Sequence, residues 1–356
     1  YMEKAPVPYP PVLHSLASAS TITWLIHQKF ELSIPLYRQE KEWEALGLRL
    51  SRATMSNWLL VVYRDWLVHI VHRLKLELLK QRYLHIDETH VQVLKEPGRK
   101  NTSDSYMWVY CSIRDAVNPI RYFEYQPGRS GKYPEAFLRE YEGYIHTDAY
   151  SGYNAVSGVK RCLCYTHLRR AFVDALPKDI HNSEASKPAE AILRLNQLFN
   201  IESELEALPP DQKKKERLIR ERPLLEAFWS WAEKSAIGEL PKSKLSKAFH
   251  YALNNREGFW NYLEDGNCSI SNSLAENCIR PFVIGRKNWL FSGSPKGAEA
   301  SAGIYTLVET AKANGLAPMK YIKYILSDMP GSAFLEHPEY LDDYLPWNPL
   351  VKEFCR

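Results

Sequence analysis

The stretch that decides the fold is YLHIDETHVQV, residues 83–93. It is rich in β-branched and aromatic side chains, no Gly or Pro interrupts it, and it reads as a β-strand. Working outward, Tyr106–Ile113 (YMWVYCSI) and Ile120–Tyr125 (IRYFEY) read as two further strands. GRKNTSD, between the first two, supplies the turn residues of a hairpin. Residues 130–143 read as a helix ended by Gly143, and Tyr144–Asp148 as a fourth strand. A short helical link fits residues 151–159, and Lys160–Tyr165 is a fifth strand running into the helix THLRRAFVDAL.

Three strands, helix, strand, short helix, strand, helix is the order of a ribonuclease-H-like α/β core, a mixed five-stranded sheet with helices. Its first part is expected over residues 82–183 and its second over 264–328. Between them, residues 184–263 read as an all-helical insertion, with apolar positions such as Leu195, Leu198, Phe228, Trp229, Phe249 and Leu253. Ser273–Phe282 is helical, the loop GSPKGAEAS follows, and a helix from Ala300 to Ala313 is closed by Asn314-Gly315. Upstream, residues 1–18 read as an extended, Pro-rich leader and 19–81 as a helical domain. There Pro35 opens a helix that Gly47 stops. Ser51 caps the next one, whose stripe Trp58, Val62, Trp66, Ile70, Leu74 and Leu78 steps by four. The pair is a candidate helix-turn-helix with Arg52 and Asn57 on its second helix. The tail, residues 329–356, is expected on the surface.

With 356 residues, two to three domains are expected and no disulfide staple is needed. Lys plus Arg number 46 against 42 Asp plus Glu, so the net charge of +4 neither demands nor excludes a nucleic-acid partner. A hydrophobic fraction of 45% with 25% charged residues excludes disorder over most of the chain. No apolar run approaches the roughly 18 residues of a membrane span. The six cysteines have no framework spacing and are expected as reduced thiols in a cytoplasmic protein.

Two His-x-Asp triplets carry the first chemical signal: His85-Ile86-Asp87 and His146-Thr147-Asp148. An aspartate in an apolar strand is unfavourable unless it is hydrogen-bonded or holds a cation. Either one alone could cap a turn. Together, on the first and fourth strands, they read as paired carboxylates whose repulsion Mg²⁺ or Mn²⁺ would relieve. Glu276 also fits a capping box begun by Ser273, and only the two aspartates make it attractive as a third ligand. His167 and Arg170 share a helix face suited to phosphate, or a plain basic face. Arg280, Arg286, Lys287, Trp289, Phe291 and Lys296 interleave cations with aromatics, which suits DNA contact or, equally, a loop whose aromatics pack on the core while its cations face water. Cys162 and Cys164 alternate on a strand and read as core.

Several stretches in order resemble the insertion-sequence-66 family of bacterial DDE transposases. They are IPLYRQE (34–40), HIDETHVQVL (85–94), HTDAYSGYN (146–154), CYTHLRRAF (164–172), SLAENCIRPFVIGRKNWLFSGSPKGAEASA (273–302), ETAKANGLAP (309–318) and LPWN (345–348). The resemblance implies that Asp87, Asp148 and Glu276 are the catalytic triad and hold two Mg²⁺ ions, with Mn²⁺ as a substitute. It implies DNA cleavage and strand transfer at element ends, with a homodimer joining two ends and small element-encoded companion proteins as further partners. Arg280, Arg286, Lys287, Trp289, Lys296, His167, Arg170, Arg52 and Asn57 are the expected DNA contacts. Ala149 follows Asp148 where the family commonly has Gly, a change expected to be tolerated. The family's upstream coiled coil and zinc-binding segment are absent from this sequence, so the chain is expected to be a fragment.

Two other readings stay open at this stage. One is a truncated or inactive transposase remnant that only binds DNA. The other is a dinuclear metal phosphoesterase using His85, Asp87, His146 and Asp148, which would require both histidines as ligands.

Overall fold

A computed structural model describes residues 9–177 and 186–356. Residues 1–8 of the leader and the expected boundary at 183–184 lie outside the described residues. From the N-terminus come four helices, α1 (Ala19–Ile26), α2 (Leu36–Ala45), α3 (Arg52–Val62) and α4 (Val68–Leu79). Three strands follow, β1 (Tyr83–Val93), β2 (Asp104–Ser112) and β3 (Arg121–Gln126). Next are α5 (Lys132–Phe137), β4 (Gly143–Thr147), β5 (Val159–Leu163) and α6 (Tyr165–Val173). The helices α7 (Lys187–Glu204), α8 (Pro210–Ala236), α9 (Lys244–Asn254) and α10 (Arg256–Trp260) succeed them. The chain closes with α11 (Ser273–Trp289), β6 (Phe291–Ser292), α12 (Pro295–Ala313), α13 (Pro318–Asp328) and α14 (Pro349–Cys355). The protein is thus mixed α/β, and its six strands form a mixed sheet. The two-residue β6 adds one strand to the five expected, pairing in parallel with Gln92 and Val93.

The chain divides into two compact units, residues 1–81, 87–130 and 275–356 in one and 82–86 and 131–274 in the other. In the first, β2 and β3 are antiparallel, and α12 covers β3. The Arg121 and Phe123 N–H groups donate to the hydroxyls of Thr310 (3.1 Å) and Thr306 (2.8 Å). The match is geometric: four helical residues rise about 6 Å and two strand residues about 6.6 Å. The helix therefore satisfies a strand edge that would otherwise stand open. α12 is apolar on nearly every side and is buried accordingly.

In the second unit, Tyr83–His85 of β1 pairs in parallel with β4, and β4 with β5. The segment read as a helical insertion carries α7–α10. It packs an aromatic core of Phe172, Phe228, Trp229, Phe249, Phe259 and Tyr262. Arg217 is fully buried there. Its guanidinium pairs with Glu202 at 2.6 Å and donates to the carbonyls of Tyr262, Asp265 and Cys268.

Four expectations need correction. The helix over 130–143 stops at Phe137, because Leu138 leaves helical geometry and Glu140 takes a left-handed φ of 65°. The Glu276 helix does not end at Phe282. It runs past Pro281 to Trp289, since a proline removes only one ladder bond while Ile279, Phe282 and Gly285 keep the buried stripe going. The tail is no surface strap, as Phe334, Tyr344, Leu345, Val351 and Cys355 are buried and the Cys355 carbonyl accepts Ala317 N–H at 2.7 Å. The leader also packs: Val12 and Ala17 are buried, and the Pro11 carbonyl accepts Trp66 Nε1–H at 2.8 Å.

Candidate active site

In the register of β1 and β4, His85 stands opposite His146. Their buried rings stack, with centroids 4.2 Å apart and planes within 10°. Asp87 and Asp148 each come two residues further along these parallel segments, where the fully buried Leu84, Ile86 and Ile145 give way to half-buried positions. Asp87 Oδ1 accepts the Glu88 N–H at 2.9 Å, and Asp148 Oδ1 accepts the Tyr150 N–H at 3.0 Å. The turn read from sequence occurs after Asp148 alone, whereas Asp87 lies inside β1, which continues to Val93. Each of these bonds engages one carboxylate oxygen and holds the side chain's direction. Glu88 pairs with Arg129 at 2.6 Å and is drawn away into an ion pair of its own.

The turn after Asp148 is held by a residue that sequence reading missed. Arg161, on β5, donates to Thr147 Oγ1 (2.7 Å), the Asp148 carbonyl (2.6 Å), the Tyr150 carbonyl (2.8 Å) and Asn154 Oδ1 (2.6 Å). A guanidinium fork can serve that many acceptors at once, which an ammonium cannot. The signal in the sequence was a bare arginine inside the strand KRCLCY. Tyr251, on α9, was also missed, and no local pattern marks it. Burial, with the Asp148 charge second, pushes its hydroxyl well above the usual tyrosine range.

Glu276 is half-buried in the first turn of α11. The residue before this helix, Asn272, is buried and ties it down. Its Oδ1 lies 3.0 Å from His85 Nδ1, its Nδ2 donates to the Ile86 carbonyl at 2.8 Å, and its N–H donates to Cys164 Sγ at 3.1 Å. That anchor stands one residue from Asp87 and about one helical turn from Glu276 along the chain. Ser273 is the first residue of the helix, and its hydroxyl lies 3.0 Å from that of Ser271. Cys278, two residues past Glu276, sits against Cys111 of β2. Burial pushes the Cys111 thiol up, and Cys278 and Asp87 add to the shift. Asp87 and Glu276 belong to one unit and Asp148 to the other.

His167 is half-buried and Arg170 exposed on α6, three residues apart. Arg280, Lys287 and Lys296 are exposed. Arg286 instead donates to Thr89 Oγ1 at 3.0 Å and to the His90 carbonyl, fastening the end of α11 to β1. Trp289 folds back over Gly285, where a Cβ would stand 2.0 Å from the ring. The Lys29 ammonium lies 5.6 Å from the Trp289 ring centroid and is lowered to about 8 by burial. Arg52 and Asn57 are exposed on α3, whose first N–H donates to Glu40 of α2 at 2.9 Å.

Carboxylate oxygens at Asp87, Asp148 and Glu276 are the hard donors that Mg²⁺ or Mn²⁺ takes. Among the described residues, His146, Cys162 and Cys268 also bring ligand atoms within 4.8 Å of one another. The imidazole there is already used, since Nε2 accepts the Ser269 N–H at 2.9 Å and Nδ1 lies 3.2 Å from the Leu84 carbonyl. The same engagement opposes a phosphoesterase site built on His85 and His146. Among the described residues no helix is long and apolar enough to cross a membrane.

A family model described as "Transposase IS66 family" matches residues 14–300. The uncharacterized protein y4qI of Sinorhizobium fredii is 28% identical over 94% of this chain and 63% of its own length. The uncharacterized protein y4hP of the same organism is 25% identical over 97% of the chain and 65% of its own length. The chain therefore spans a little under two thirds of these relatives.

Proposed function

The chain belongs to the IS66 transposase family, and from that premise we propose that it is a DDE transposase. It cuts and rejoins DNA at the ends of an insertion element with Asp87, Asp148 and Glu276 on a ribonuclease-H-like core. The observation that carries the reading is the parallel register of His85 with His146, each followed two residues later by an aspartate. Neighbouring parallel segments that each carry a carboxylate two residues past the paired histidines suit a shared cation.

Two divalent cations, Mg²⁺ or Mn²⁺, would supply an activated water and offset the charge of the attacked phosphate. The chain's own residues do the positioning. The Tyr150 N–H fixes one Asp148 oxygen, and Arg161 clamps the carbonyls on either side of the turn. Asn272 locks the start of the helix that carries Glu276. Arg280, Lys287 and Lys296 are exposed cations suited to DNA phosphates, with His167 and Arg170 as a second basic face and Arg52 and Asn57 as a third. Two element ends must be held at once, so the same reading carries a homodimer on DNA and companion proteins encoded by the element.

The test is metal-dependent nicking of supercoiled plasmid by the full chain. Asp148→Asn and Glu276→Gln are each expected to reduce nicking at least about 1,000-fold while DNA binding persists. Undiminished nicking by Asp148→Asn overturns the mechanism. A wild-type chain that binds DNA yet never nicks it is a DNA-binding remnant.

A further inference from the structure

In the segment that joins α11 to α12, Trp289 and Arg286 are already engaged, one over Gly285 and the other bonded to β1. Large apolar side chains there stay open to solvent. Ile284, Leu290 and Phe291 are 50%, 64% and 45% exposed within eight residues. A cluster of this kind marks a contact surface. Leu290 carries a second cost. It follows the last residue of α11 with a left-handed φ of 67°. Helices commonly close in that conformation on a glycine, because a Cβ there crowds the backbone. A glycine at 290 would remove both costs at once.

The backbone at this point is held from both sides. The Leu290 N–H donates to the Arg286 carbonyl at 2.8 Å, Phe291 stands opposite Gln92, and the Ser292 carbonyl accepts the Leu94 N–H at 2.9 Å. The two side chains are thus presented on a fixed support, which spares the ordering cost of binding. The surrounding charge identifies what they meet. Residues 284–299 hold three cations, Arg286, Lys287 and Lys296, against one acid, Glu299. Lys287 and Lys296 are exposed, and Nη1 of the exposed Arg38 lies 3.4 Å from Asn288 Oδ1. Cations beside apolar tips suit nucleic acid, whose phosphates take the charge and whose base faces are its large apolar surface. In an intact duplex those faces are stacked on one another. They open at a strand end, or where a base step is unstacked.

We propose that Leu290 and Phe291 form an apolar probe that stacks on an unpaired base beside the cut in the DNA. The inference rests on the DNA-binding part of the transposase reading. It gives the chain a preference for frayed or single-stranded ends over continuous duplex.

The experiment measures binding of the full chain to a blunt duplex of about 30 base pairs and to the same duplex with a tail of about five unpaired nucleotides. Thermal unfolding and sedimentation of each chain are recorded alongside. Wild type should bind the tailed duplex more tightly. Leu290→Gly should weaken binding to the tailed duplex about 5- to 100-fold and leave the blunt duplex within about twofold. Its unfolding midpoint should hold or rise, since glycine relieves the backbone. Phe291→Thr, which still suits a strand, should show the same selective loss, and Leu290→Met should keep most of the tailed affinity. Lys287→Ala should weaken both duplexes alike and lower the salt slope by about one unit. A wild type without preference for the tail overturns the inference. So does Leu290→Gly or Phe291→Thr that binds the tailed duplex as wild type does, or that loses both duplexes equally. A changed sedimentation with unchanged DNA binding assigns the patch to a protein contact and overturns it too. Plasmid nicking in Mg²⁺ separates the two readings. If wild type nicks and the tail preference is missing, only the role of Leu290 and Phe291 falls. If wild type prefers the tail through Leu290 yet never nicks, the cleavage reading falls and this contact stands.

Discussion

At the scale of single residues, the candidate site depends on side chains of two kinds. Asp87 and Asp148 announce themselves in a linear reading, because a carboxylate in an apolar strand is costly and stands out against its neighbours. Arg161 does not, because its importance lies in what it reaches across the fold. Arg161 gives four hydrogen bonds to the 147–154 segment. Replacing it by Met strands several acceptors, so Arg161→Met is expected to cost about 2–3 kcal/mol in urea unfolding. Arg161→Lys should recover only part of that loss, since an ammonium lacks the planar fork. Equal stability of wild type and Arg161→Met would remove the clamp from the account. Trp289 and Arg286 illustrate the reverse case. Their residue types suggest DNA contacts, yet one ring lies over Gly285 and one guanidinium is bonded to β1.

At the scale of elements, all five strands read from the sequence are present, with ends shifted by no more than two residues. Their dense β-branched and aromatic runs leave little competition. Helix ends were harder, because packing outweighs a local breaker, as at Pro281 in α11. The contact between α8 and the segment after α10 was invisible. There Glu221 accepts from Tyr262 Oη at 2.6 Å, and burial together with the Glu202 charge raises its carboxyl to about 8. The folded chain then keeps a proton that the unfolded chain releases from about pH 4.5 upward. Glu221 therefore costs stability progressively as pH rises from about 4.5 to about 8. Glu221→Gln is expected to be the more stable protein at pH 8, by on the order of 1–3 kcal/mol, with the gap closing toward pH 5. Denaturant midpoints measured across that range check the sign. Parallel profiles for the two proteins would show that Glu221 stays ionised in the fold.

At the scale of the whole molecule, a net charge of +4 is too small to fix the partner, and the arrangement of charge matters more. On the proposed reading, Asp87, Asp148 and Glu276 would bind a divalent cation only in the native state. Mg²⁺ or Mn²⁺ is accordingly expected to raise the unfolding free energy by about 2.7 kcal/mol at a concentration 100 times the dissociation constant. Asp148→Asn should lose most of that gain. Equal stabilisation of wild type and variant would place the cation elsewhere.

The sequence by itself determined the strands and the helical character of residues 187–260, and it marked Asp87, Asp148 and Glu276 as candidates. These rest on local periodicity, on turn chemistry and on the cost of a carboxylate in apolar surroundings, all of which are written along the chain. Only the tertiary structure decided that Asn272 anchors the Glu276 helix to β1 and that Arg161 clamps the Asp148 turn. It also decided that Thr306 and Thr310 close the edge of β3. The Asn272 and threonine contacts join residues more than 100 positions apart, and Arg161 acts from another strand. Such pairings are set by which surfaces meet when the apolar faces are buried. No local pattern encodes that meeting.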